Sequence, residues 1–99
     1  MIDITMTATL RPAIVSQTLE SFCRNIFRDR NNYRLIINID PIGEKVESTK
    51  VLEVCRKYFE NIVFNIPETP SFPAAVIWCW DKAESDFVFH LEDDWISVC

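Results

Sequence analysis

Phe87-Val88-Phe89-His90-Leu91-Glu92-Asp93-Asp94-Trp95 sets five mostly apolar residues directly before three carboxylates. A parallel strand covered on both faces reads as a continuous apolar run, whereas a strand with one wet face alternates. Three acidic side chains in succession repel one another unless a cation or ligand donors compensate them. The stretch is therefore a buried strand over 87–91 that ends either in a solvated turn or in a metal and ligand site. The rest of the chain decides between the two.

Working outward, three more strands and three helices are expected. Residues 2–9 alternate and are rich in β-branched side chains, which favours a strand. Leu10-Arg11-Pro12 breaks it, and Pro12 suits a first helical turn, where its missing N–H costs nothing. Val15, Leu19, Phe22 and Ile26 then recur at helical spacing. A second strand over 33–39 closes in Asp40-Pro41-Ile42-Gly43, a turn signature. A helix over 47–59 carries Val51, Leu52, Cys55, Tyr58 and Phe59 as its apolar stripe. A third strand spans 61–66. The prolines within 67–73 demand a loop, and Ser71 is the expected N-cap of a helix over 72–83.

The order β-α-β-α-β-α-β implies one α/β domain over 1–99, a Rossmann-like parallel sheet with helices on both faces. In such sheets ligands bind outside the carboxyl ends of the strands, where the winding reverses. Here those ends carry Thr9-Leu10-Arg11, Asp40 and Glu92-Asp93-Asp94, so polar residues converge on one edge.

Composition narrows the function. An apolar content of 48% in 99 residues supports a globular core rather than disorder. The net charge of −5 argues against a protein that wraps nucleic acid. No apolar run approaches the roughly 18 residues of a membrane span, and the N-terminus lacks the features of a signal peptide. Cys23, Cys55, Cys79 and Cys99 form no Cys-x-x-Cys pair and have no histidines at zinc spacing, so inert thiols in a reducing, cytoplasmic setting are expected. One glycine in the whole chain excludes a Gly-rich phosphate loop. A bound nucleotide would have to be gripped by side chains and a metal.

Thr9-x-Arg11-Pro12, Leu19-Glu20-Ser21-Phe22, Asp40 at the end of the second strand and Ala83-Glu84-Ser85-Asp86-Phe87 leading to Leu91-Glu92-Asp93-Asp94-Trp95 occur in an order and spacing that resemble a known family. The whole chain is similar to the N-terminal, nucleotide-binding half of a GT-A-fold glycosyltransferase of the family 2 type, with Glu-Asp-Asp in the place of the acidic DxD signature. The resemblance implies a metal-dependent transfer of sugar from a nucleoside-diphosphate sugar to an acceptor hydroxyl. It implies that Asp94 coordinates Mn²⁺ or Mg²⁺ on the diphosphate and that Asp93 contacts the ribose or supports the metal shell. Asp40 would accept hydrogen bonds from the base, and Thr9 with Arg11 would line the nucleotide pocket. Glu92 stands where aspartate is commonest and Leu10 where a polar or aromatic residue often stands. The general base is expected beyond Cys99, the chain being read as truncated, with 87–91 left as an apolar edge prone to self-association.

Each site residue also has a plainer reading: Asp93 and Asp94 as a solvated turn, Asp40 as a turn aspartate before Pro41, Arg11 as a surface charge. His90, inside an apolar strand, reads as a hydrogen-bonded core or edge histidine, and Trp78, Trp80 and Trp95 as packing residues. The alternative function is a non-catalytic α/β nucleotide-binding or interaction module. A receiver-like domain fits poorly, because its acidic pair follows the first strand, which here ends in Thr-Leu-Arg-Pro.

Overall fold

Alternation along the first strand decides how the sheet divides its two faces. In a computed structural model, which describes residues 1–97, the chain runs β1 (Ile2–Leu10), α1 (Pro12–Asn25), β2 (Tyr33–Gly43), α2 (Ser48–Arg56), β3 (Ile62–Asn65), α3 (Phe72–Lys82) and β4 (Val88–Glu92). The strands form one parallel sheet in the order β3-β2-β1-β4. Two crossovers step from β1 to β3. The third returns past β1 to β4, and because such crossovers keep one hand, α3 lies on the face opposite α1 and α2.

Ile4, Met6 and Ala8 of β1 pack with Leu35, Ile37 and Ile39 of β2 under Val15, Leu19 and Phe22 of α1 and Val51, Leu52 and Cys55 of α2. Phe89 of β4 joins this face through edge-on contacts with Phe22 and Phe27, at 6.0 and 5.2 Å between ring centres. The α3 face is different. There Thr5 and Thr7 are buried, and α3 approaches through small residues, Ala75 and Cys79. The Cys79 thiol points to the carbonyl oxygens of Met6 and Ile36, at 3.5 and 3.8 Å. Burial pushes Cys55 up to about 12 and Cys79 up to about 11. Neither is a nucleophile, as expected of inert thiols; Cys99 lies outside the described residues.

Three expectations are corrected. The second strand does not turn at Asp40. It continues to Gly43 around a bulge in which the register jumps from Ala8–Ile39 to Leu10–Gly43, a place where Pro41 costs no ladder bond. The helix expected over 47–59 ends at Arg56, although Phe59 is still buried. Trp80 and Trp95 are not core residues but 64% and 45% exposed: α3 offers its smallest residues to the sheet and turns Trp80 outward, and Trp95 lies in the turn after β4. Ser71 does cap α3, accepting from the Ala74 N–H at 3.3 Å.

At the opposite end of the sheet Asp3 is fully buried and takes Nε and Nη2 of Arg34 at 3.0 and 2.9 Å. It also accepts the N–H groups of Glu84 and Ser85, at 2.7 and 3.0 Å, and so fastens the turn before β4. Burial alone would raise its pKa, but these donors outweigh it and hold the carboxyl at about 2.

Candidate functional site

β1 and β4 are adjacent, yet the helices on either side of them, α1 after β1 and α3 before β4, cover opposite faces. In open α/β sheets the carboxyl ends of two such strands, where the winding reverses, are where ligands bind. Four of the five site residues expected from the sequence lie there: Thr9, Arg11, Asp93 and Asp94.

Asp93 is 6% exposed, so its charge needs compensation. Thr9 supplies two bonds to Oδ2, from its N–H at 3.1 Å and its hydroxyl at 3.2 Å. Arg11 donates from Nη2 to Oδ1 at 2.8 Å and from Nε to the Thr9 hydroxyl at 3.0 Å. Thr9, Arg11 and Asp93 thus form one closed cluster, and both Asp93 oxygens are occupied. Asp94 differs. The Trp95 N–H donates to the Glu92 carbonyl at 3.3 Å, closing a turn with Asp93 and Asp94 at its centre. Asp94 is exposed, and its carboxylate meets no donor among the described residues.

Glu92 turns away from both, onto the α3 face. The Thr7 hydroxyl donates to its Oε2, and His90 Nε2 lies 3.0 Å from its Oε1. His90 Nδ1 lies 2.9 Å from the Thr5 hydroxyl, and Trp95 stands edge-on to the imidazole at 6.2 Å. His90 is therefore a hydrogen-bonded edge histidine. Asp40 is buried on the neighbouring β2, where the bulge begins. It is oriented by a relay in which Asn65 donates to Asn38 at 2.8 Å and Asn38 to Asp40 Oδ1 at 3.0 Å. No hydrogen bond joins it to the Thr9–Arg11–Asp93 cluster among the described residues.

Sequence reading missed the residues that hold this edge in place. The Thr18 hydroxyl, fully buried on α1, donates to the Asp93 carbonyl. Ser21 accepts the Ser97 N–H at 3.0 Å, and Asn25 Nδ2 donates to the Ser97 carbonyl at 3.2 Å. Their signal was present: Thr18, Ser21 and Asn25 recur at helical spacing beside the apolar stripe, and Thr5, Thr7 and Asn38 interrupt strands otherwise fit for a dry core.

Among the described residues no three carboxylates, histidines or cysteines converge on a point where a metal could sit. Of the carboxylates at this edge, Asp94 is the one that takes no donor on either oxygen from the described residues. One carboxylate suffices for Mg²⁺ or Mn²⁺ when phosphates and water complete the shell, so the donor set suits a cation that arrives with a diphosphate.

No protein-family model matches the chain, and no curated protein does. Among solved structures it is similar to S. aureus TarS, with a TM-score of 0.68 and 16% identity over 94% of this chain. A structure of S. aureus TarS 1-349 gives a TM-score of 0.64 and 15% identity over 93% of it. The chain spans 16% and 27% of those two chains. At this identity the likeness shows a shared α/β fold and no more. Among the described residues no helix is long and apolar enough to cross a membrane.

Proposed function

We propose that the chain is a single domain forming the donor-binding half of a family 2-like, metal-dependent glycosyltransferase, which moves a sugar from a nucleoside-diphosphate sugar to an acceptor hydroxyl. One observation carries the reading: at the carboxyl ends of β1 and β4, Asp93 takes donors on both oxygens while its neighbour Asp94 is exposed and takes none from the described residues. A merely solvated turn would have no need of a buried carboxylate locked by Thr9 and Arg11. In this reading Asp94 is the protein's ligand to Mn²⁺ or Mg²⁺, and Asp93 supports it by holding Thr9 and Arg11 against the turn. Asn38 takes one oxygen of Asp40 and leaves Oδ2 as an acceptor for a base N–H. Bound there, the cation supplies charge compensation to the diphosphate. The buried, undissociated thiols of Cys55 and Cys79 suit a reducing, cytoplasmic setting.

Calorimetric titration with UDP, GDP and their sugars, with and without Mn²⁺, tests this. Mn²⁺ alone is expected to bind weakly, because one carboxylate holds it. Nucleotide binding is expected to require the metal and to weaken by at least about 100-fold in Asp94→Ala, beyond the loss typical of groups that only support a ligand. Failure to bind any nucleotide overturns the reading.

The exposed Phe87, Val88 and Trp80 beside the free edge of β4 favour a second reading, an interaction module that retains the fold and associates through that edge. Concentration-dependent association without nucleotide binding would support it over the first.

A further inference from the structure

We infer that Thr18, with Ser21 and Asn25, is the positioning element that presents Asp94 to its ligand; this rests on the donor-site reading. The Glu92–Trp95 turn is held from two sides. On the sheet side, Thr7 and His90 hold the Glu92 carboxylate, and Thr9 with Arg11 hold that of Asp93. On the helix side, the Thr18 hydroxyl grips the Asp93 carbonyl, one peptide before Asp94. Ser21 and Asn25 grip the backbone of Ser97, three residues after it. Ser21 also donates to the Thr18 carbonyl at 2.9 Å, tying the two grips together.

Three polar side chains on the inward face of an amphipathic helix are a poor choice for packing alone. Apolar residues would bury more favourably. Their donors and acceptors instead go to the backbone on both sides of Asp94, the carboxylate of this turn that takes no donor among the described residues. Fixing the peptide before Asp94 and the residue after Ile96 restricts where its oxygens can point. A ligand then binds without first ordering the turn, and such preorganisation raises affinity. Thr18 acts through the Asp93 backbone and not on the ligand itself, so it is a positioning residue.

The test compares Thr18→Val, which removes the hydroxyl and keeps the shape, with Thr18→Ser, which restores it, in the 99-residue chain. Mn²⁺-dependent UDP or GDP binding should weaken about 10- to 100-fold in Thr18→Val, the range for groups that orient a metal ligand, and recover in Thr18→Ser. Hydrogen exchange at the Trp95 amide, which closes the turn, should speed up in Thr18→Val and return in Thr18→Ser. A folded Thr18→Val with unchanged affinity and unchanged exchange overturns the inference. If Thr18→Val does not fold, Asn25→Ala at the half-buried end of the stripe takes its place with the same two readouts. Wild-type chain that binds no nucleotide refutes the donor-site reading separately. The exchange comparison then decides the positioning claim alone, faster exchange supporting it and unchanged exchange overturning it.

Discussion

Gly43, the one glycine of the chain, shows what a single residue contributes to the site. Its φ is +131°, a conformation that L side chains rarely adopt, and a Cβ there would lie 2.9 Å from the Leu10 carbonyl oxygen. The absence of a side chain lets the bulged end of β2 close on Leu10, whose carbonyl also accepts the Glu44 N–H at 2.9 Å. Leu10 lies between Thr9 and Arg11, so strain at Gly43 transmits directly to the two residues that compensate Asp93. Gly43→Ala is expected to cost about 1–3 kcal/mol, read as a lower urea midpoint with an unchanged slope. A variant as stable as the parent would show that the bulge relaxes freely. From the sequence, Asp40-Pro41-Ile42-Gly43 read as a turn. The bulge was illegible because its cause is the partner strand, where Thr9 alone faces the three residues between Ile39 and Gly43.

At the level of elements, α1 and α3 show where pattern reading succeeds. The stripe of Val15, Leu19 and Phe22 on α1 maps onto the core because that face meets large side chains of β1 and β2. On α3, Phe72, Ile77 and Trp80 are exposed, since a sheet face bearing Thr5, Thr7 and Asn38 admits only Ala75 and Cys79 at close range. β4 carries the consequence. Among the described residues it pairs only with β1, and Phe87, Val88 and Phe89 on its margin are 74%, 47% and 36% exposed. A free ladder edge flanked by apolar side chains invites a second strand. Sedimentation velocity is expected to show association that grows with concentration, and Val88→Lys should return the chain to monomer. A parent chain that stays monomeric at high concentration refutes this.

For the whole molecule, the Asp3–Arg34 pair ties the amino end of the sheet as the carboxylate cluster ties the other. It joins β1, β2 and the turn before β4, so its loss is a global event. The folded pKa of about 2 lies below the ordinary 3.8. Its stabilisation is therefore complete above about pH 4 and disappears as the pH falls to about 2. A difference of nearly two units corresponds to about 2 kcal/mol. Thermal unfolding should show stability dropping through that window. Asp3→Asn should lower stability at neutral pH by about 2 kcal/mol or more, because Arg34 is left half-buried without its partner, and should flatten the acid limb. An acid limb of the same depth in Asp3→Asn would assign the loss to other carboxylates.

The alternation of strands and helices, the all-parallel order, the N-cap at Ser71 and the gathering of Thr9, Arg11, Asp93 and Asp94 at one edge follow from the sequence alone. Each is set by short-range periodicity, capping chemistry or the right-handed rule for crossovers. Which carboxylate is spent and which is free was decided only in the folded chain. Asp93 and Asp94 are neighbours with the same chemistry. They differ because the turn buries one against Thr9, Arg11 and Thr18, residues 75 or more positions away, and leaves the other in water. Burial and hydrogen-bond satisfaction are properties of the surroundings, and those surroundings exist only once β1, β4 and α1 have met.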